Sequence, residues 1–177
     1  GLSARGLTSR CEILHHDGVI SMSEKPSAAL RHRNGTSLWG ALQSVKAGEA
    51  AAAVSAGNTG ALMAFAMVTL RKMEGVYRPG MTAIWPTVQV RSIVLDVGAN
   101  LEADSDQLVT FAIMGEAYAR AVLGKPKPTI GLLNIGAEEE KGRDTLKLAA
   151  ERLRDDALGL DFRGYVEGDD IAMGAVD

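Results

Sequence analysis

Short apolar runs alternate along the chain with longer segments whose apolar positions recur at helical spacing. Cys11–His15 is strand-like. Pro26–His32 starts as a helix, with Pro26 at a first-turn position where its missing N–H is harmless. Leu38, Ala41, Leu42 and Val45 share one face of a predicted helix over Leu38–Ala47, which Thr36 or Ser37 can cap and Gly48 can end. Ala51–Ser55 reads as a short strand, Gly60–Lys72 as a helix, and Thr82–Trp85 and Ser92–Val97 as strands. Asp104 or Ser105 caps a helix running to about Leu123, where Gly124 and Pro126 end it. Thr129–Ile135 is a continuous apolar strand. Lys141–Asp155 is a helix with Leu146, Ala149 and Leu153 on one face, and Phe162–Val166 is a last short strand.

The segments SIVLDV and IGLLNI lack strict alternation, so both of their faces are expected to be buried, as in a parallel sheet covered by helices. Alternating strands and helices predict an α/β fold, a three-layer sandwich with a mostly parallel sheet. Residues 1–177 carry no internal repeat, low-complexity tract or clear linker and read as a single α/β domain. The opening GLSARGLTSRCEILHHDGVI looks like a helix end feeding a strand, and the closing MGAVD like the start of an apolar run. The domain is therefore expected to be an incomplete portion of a longer chain.

Composition narrows the field. With 177 residues, 46% of them apolar and 23% charged, the chain has the make-up of an ordinary globular protein with a real core. A net charge of −3 implies no bulk attraction to nucleic acid. One cysteine, Cys11, excludes an internal disulfide framework. The longest apolar run, around Ala61–Leu70, is too short to span a bilayer, and a cytoplasmic address is the expectation.

Three predicted strand ends have a common chemical character. Gly57-Asn58-Thr59-Gly60 follows AVSA, Asp96-Val97-Gly98-Ala99-Asn100 follows IVL, and Asn134-Ile135-Gly136 follows GLL. Each combines glycine with asparagine. Glycine lets a backbone approach a ligand closely, and a helix N-terminus offers free N–H donors and partial positive charge. Such a site suits an anion or a developing oxyanion. Any one junction is equally well read as a tight turn with an asparagine cap; three in one chain favour a shared role. No phosphate-binding P-loop and no dinucleotide fingerprint occurs, so a nucleotide is not the favoured ligand.

Other residues carry open alternatives. Lys141, after Glu138-Glu139-Glu140, is either a solvated lysine near a helix start or a cation for phosphate, and the glutamates could equally repel an anion. Asp96 either orients a neighbouring donor or bonds turn N–H groups. Arg31-His32-Arg33 near Lys25, and Arg71-Lys72 with Arg78, are basic clusters that are either solvated faces or meeting points for an acidic partner. Cys11 and His15 on one strand would lie about 13 Å apart, too far for direct activation, and the set lacks the spacing of a metal site.

Taken together, VSAGNTGALMA, EGVYRPGMTAIWP, VLDVGANLEADSDQLVTFAIMG and GLLNIGAEEEKG, in that order, resemble the bacterial phosphate acyltransferases, the acyl-[acyl-carrier-protein]:phosphate acyltransferases of phospholipid synthesis. The resemblance runs from about Met22 to the C-terminus; motifs that the family carries beyond both ends are not in this sequence. It implies an isopropylmalate-dehydrogenase-like or phosphotransacetylase-like fold, a homodimer, and no cofactor or metal. It implies acyl transfer from an acyl-carrier-protein thioester to inorganic phosphate, giving acyl phosphate. On that reading Lys141 neutralises phosphate or oxyanion charge, Asn58 and Asn134 orient substrate or donate to the oxyanion, and Asp96 and Asn100 shape the pocket. Ser55, Gly57, Thr59, Gly60, Gly98 and Gly136 would contact substrate, and Arg31, Arg33 and Arg78 would dock the acidic carrier protein. Contact with the inner face of the membrane would come from parts absent here. The competing readings are a phosphotransacetylase acting on coenzyme A thioesters and a non-catalytic carrier-binding module.

Overall fold

The computed structural model describes all residues except 1–4, 7, 90, 99–101 and 137–141. Its contacts divide the chain into two compact units, Gly1–Met73 and Glu74–Asp177. It is a mixed helix and strand protein with one small antiparallel and one small parallel sheet, compatible with an α/β pattern.

The first unit is helical. Helix α1 (Pro26–Ala29) continues as a tighter turn over Leu30–His32, followed by α2 (Ser37–Lys46) and α3 (Thr59–Thr69). Thr36 caps α2, its hydroxyl accepting from the Trp39 N–H. The amphipathic face predicted from Leu38 and Leu42 is buried with Ile20, Ala29, Ala61 and Phe65. Trp39 meets Phe65 edge to face at 5.8 Å. Gly60 permits the close approach of α1 to α3, since a β-carbon there would lie 2.7 Å from Pro26 Cγ. Helix α3 stops at Thr69, short of Lys72, because Arg71 takes a left-handed conformation with φ 66°.

Cys11–His15 and Ala51–Ser55 are not strands. A strand is defined by its ladder as much as by its own dihedrals. Among the described residues of this unit the only bridge is Gly18 to Thr36. Neither segment's own sequence supplies a ladder partner, which is a tertiary matter.

In the second unit β1 (Thr82–Pro86) pairs antiparallel with β2 (Arg91–Leu95). The expectation of parallel neighbours fails here because only the four residues 87–90 join the two strands. A parallel return needs a crossover of about a dozen residues or more. Helix α4 (Ser105–Leu123) begins with a capping box, Asp104 Oδ1 accepting from the Gln107 N–H and Gln107 Oε1 from the Asp104 N–H. It ends at Gly124 as predicted. Strand β3 (Thr129–Leu133), α5 (Asp144–Leu153), β4 (Asp161–Val166) and α6 (Gly168–Met173) complete the unit. Strands β3 and β4 pair in parallel, with a register shift between Ile130 and Leu132. Val109, Leu132, Ala149, Ala150 and Leu153 form the core between α4, α5 and this sheet. Helix α5 starts at Asp144, later than predicted; Gly142 precedes it with φ 96°, which a helix excludes.

Candidate functional site

The first junction is built around a buried amide. Asn58 is 7% exposed and caps α3, its Oδ1 accepting from the Ala61 N–H at 3.0 Å. Its Nδ2 donates to the carbonyls of Ser21 (2.9 Å), Met22 (3.2 Å) and Glu24 (2.8 Å). One side chain thus fixes the start of α3 and ties the 21–24 segment to it. Both ends of the amide are engaged, so Asn58 acts here by holding the junction. Ser55, Gly57, Thr59 and Gly60 stand exposed around it. Ser55 Oγ accepts from the Gly57 N–H at 3.1 Å and closes the turn. The N–H groups of Thr59 and Gly60 lie in the first turn of α3, which the helix itself cannot pair. A cavity of about 350 Å³ opens beside the junction, lined by Val19, Leu38, Val54, Ser55, Gly57 and Asn58 among others.

The second and third junctions close β2 and β3 of the other unit. Asp96 has φ 65°, a left-handed conformation that aspartate tolerates better than most residues. Its N–H donates to the Met81 carbonyl at 2.8 Å, and its own carbonyl accepts from the Gly98 N–H at 2.9 Å. The chain therefore turns sharply out of β2, with Gly98 exposed at the tip. Asn134 is 8% exposed at the end of β3, and its N–H donates to the Val166 carbonyl at 2.9 Å. Its amide lies against Gly142, where any β-carbon would collide with it. Gly136 is buried close by in sequence. Asn134 thus packs against Gly142, two residues before α5 begins. Lys141 and Asn100 lie outside the described residues.

The arginines differ in their surroundings. Arg31 and Arg78 are exposed. Arg33 is half-buried, with its guanidinium 4.7 Å from the centroid of the Trp39 ring and its Nη1 donating to the Leu30 carbonyl. Cys11 is exposed, and His15 Nε2 lies 2.8 Å from Asp17 Oδ1 on the surface.

One polar cluster had no motif to announce it. The Asp177 carboxylate meets the Lys125 ammonium and accepts from both the N–H and the hydroxyl of Thr129, each at 3.0 Å. Burial alone would raise its pKa. Lys125 and the two Thr129 donors outweigh that and hold it below the usual carboxylate value. The only sequence signal was a lysine, a threonine and an aspartate, each ordinary by itself, with Asp177 far along the chain from the other two.

A mixed helix and strand protein with a glycine–asparagine junction at the N-terminus of α3 carries backbone donors of the kind that suit an anion. The family described as fatty acid synthesis protein matches residues 2–177. A phosphate acyltransferase of Parvibaculum lavamentivorans is 58% identical over 167 residues, 94% of this chain and 46% of its own length. One of Maricaulis maris is 52% identical over 167 residues, covering 94% and 48%. One of Azorhizobium caulinodans is 52% identical over 173 residues, covering 97% and 49%. The chain belongs to the fatty acid synthesis protein family, and it spans about half the length of the curated relatives it matches. Among the described residues no helix is long and apolar enough to cross a membrane.

Proposed function

We propose that the whole protein is a phosphate acyltransferase, moving a fatty acyl group from an acyl-carrier-protein thioester to inorganic phosphate. The observation that carries this reading is the identity of 52–58% to proteins of that name along a stretch holding all three junctions. The physical chemistry is compatible. Phosphate is itself the nucleophile, so the protein need not supply one. A phosphate oxygen attacks the thioester carbonyl, a tetrahedral oxyanion forms, and the carbon–sulfur bond breaks to release the carrier thiolate, which takes up a proton. What remains for the protein is to hold a dianion beside the thioester and stabilise the oxyanion.

The exposed shelf of Ser55, Gly57, Thr59 and Gly60 at the N-terminus of α3 supports a substrate-binding role in the first unit, and Gly98 and Gly136, after β2 and β3, are the proposed substrate contacts of the second. In this proposal Lys141 neutralises phosphate or oxyanion charge. Asn58 and Asn134 orient the groups around them, and Asp96 and Asn100 shape the pocket. Arg31, Arg33 and Arg78 dock the acidic carrier protein. The proposal extends to a single α/β domain with a three-layer, mostly parallel sandwich, to a homodimer, and to a cytoplasmic enzyme touching the inner face of the membrane through segments outside this sequence. The second reading, a phosphotransacetylase on coenzyme A thioesters, shares the same oxyanion chemistry.

In the full-length protein, acyl-phosphate formation is to be measured with acyl-carrier-protein and coenzyme A thioesters in parallel. Turnover is expected with the carrier thioester, and Lys141→Ala should reduce it by about two orders of magnitude or more with the fold intact. Carrier binding without phosphate-dependent thioester loss would leave only a binding module. Near-wild-type turnover of the lysine variant would remove Lys141 from the chemistry. Arg31→Glu should weaken carrier binding and lower the association rate more at low salt than at high; unchanged affinity would reject the docking role.

A further inference from the structure

Of the four asparagines in the chain, Asn34 alone is followed by glycine. It is exposed, in a turn that the Thr36 N–H closes by donating to the Arg33 carbonyl at 3.2 Å. Gly35 takes φ 77° at the third position of that turn, a conformation that favours glycine. The space around it is open, since a β-carbon there would meet nothing within 4 Å. The Gly35 carbonyl accepts from the Gly18 N–H at 3.1 Å. Among the described residues the Gly35 N–H itself donates to no backbone carbonyl. The exposed amide of Asn34 and this nitrogen are therefore free to meet. Asn58 differs, being buried with both ends of its amide bonded, and Asn134 is buried and followed by isoleucine.

A second pair of the same kind lies directly across. Asp17-Gly18 is the one Asp-Gly step in the sequence, and Gly18 bridges to Thr36. Asp17 is fully at the surface, with its carboxylate 2.8 Å from His15 Nε2. Its neighbouring nitrogen is not free, because the Gly18 N–H is the one held by the Gly35 carbonyl. The Gly18 carbonyl in turn accepts from the Ser37 N–H at 3.0 Å. One labile step is thus open and the other is guarded by it. We propose that Asn34 is a site of spontaneous backbone modification, and that its reaction releases Gly18 and so opens Asp17 to a second one. This inference does not depend on the reaction proposed above.

The chemistry needs only water. The Gly35 nitrogen, having given its proton to solvent, attacks the side-chain carbonyl carbon of Asn34. The new carbon–nitrogen bond closes an imide ring, the bond to the side-chain nitrogen breaks, and ammonia leaves with a proton from water. Water then opens the ring. Attack at the side-chain carbonyl gives aspartate; attack at the main-chain carbonyl gives isoaspartate, whose backbone is one carbon longer. The net change is amide plus water to carboxylate plus ammonium. The extra carbon falls just before Gly35, so it displaces the carbonyl that holds Gly18. It also disturbs Thr36, which is buried, donates to the Arg33 carbonyl at 2.6 Å and caps α2 through the Trp39 N–H. Once released, the Gly18 nitrogen attacks the Asp17 carboxyl carbon with water as the leaving group, and hydration of that ring gives a second isoaspartate.

The test ages the full-length protein and its Asn34→Gln variant at mildly alkaline pH, each folded and in urea. Peptide mapping that separates isoaspartate follows every site. In the folded parent, Asn34 should convert about tenfold or more faster than Asn58 and Asn134, whose amides are reached only through local opening. Isoaspartate at Asp17 should lag behind Asn34 in the folded parent and stay at background in folded Asn34→Gln. In urea Asp17 should react from the start in both proteins. Conversion of folded Asn34 no faster than that of Asn58 would overturn the modification site. Equal Asp17 reaction in folded parent and folded Asn34→Gln would overturn the order of the two steps. The isoaspartate-34 fraction, isolated by chromatography, should melt several degrees below an Asn34→Asp variant, which carries the charge without the extra carbon. Equal melting would overturn the displacement of Gly35 and Thr36.

Discussion

Replacing Asn58 by aspartate separates two duties that its side chain performs at once. As a helix cap, aspartate is about as good as asparagine, and its carboxylate can still accept from the Ala61 N–H. If capping were the whole role, Asn58→Asp would be nearly neutral, with a small gain from the helix dipole. The amide nitrogen, however, donates to the carbonyls of Ser21, Met22 and Glu24 at 2.8–3.2 Å from a site only 7% exposed. Aspartate at about pH 7 has no donor to offer them. It would place a carboxylate oxygen against three carbonyl oxygens and lose the bonds that tie the 21–24 segment to α3. An acceptor left without its donor in a buried setting loses about 1–3 kcal/mol, more where a charge is involved. Asn58→Asp should therefore destabilise by about 2–4 kcal/mol, at least as much as Asn58→Ala, which loses the cap as well. Urea unfolding followed by circular dichroism, on both variants at neutral pH, measures the difference. An Asn58→Asp stability within about 0.5 kcal/mol of the parent would refute the reasoning, since that is the size of an ordinary surface substitution.

Two further perturbations probe other contacts. The Asp177 carboxyl is held below its usual range by Lys125 and Thr129, so the native state binds its proton less readily than the unfolded chain does. Its contribution is present above the unfolded value near 3.8 and is lost as pH falls through the lower folded value; Asp177→Asn should flatten that acid limb in a pH series of unfolding midpoints, and an unchanged limb would show that other carboxylates carry it. Gly60→Ala should gain helix propensity in an exposed first turn, yet the added carbon would sit 2.7 Å from Pro26 Cγ on a rigid ring. Overpacking of about 1–3 kcal/mol is expected to win, and a raised melting temperature would mean that α1 simply moves away.

The sequence by itself determined several local elements and some of their ends. Leu38 and Leu42 fixed the buried face of α2, Asp104 and Gly124 bounded α4, and the apolar run of β3 needed no partner to be recognised. These signals are local: a cap, a left-handed glycine and an apolar period act within a turn or two of chain. The glycines and asparagines of the three junctions lie in consecutive residues and are read directly from the sequence. Pairing is not. Cys11–His15 and Ala51–Ser55 read as short strands in the sequence and have no ladder, and β1 turned back on β2 because the four residues between them cannot make a crossover. The grip of Asn58 on Ser21, Met22 and Glu24, the contact of Asn134 with Gly142, and the clasp of Asp177 on Lys125 and Thr129 join residues with no local relation. Such contacts depend on which groups are left buried without partners once the chain has packed, and only the tertiary structure decides that.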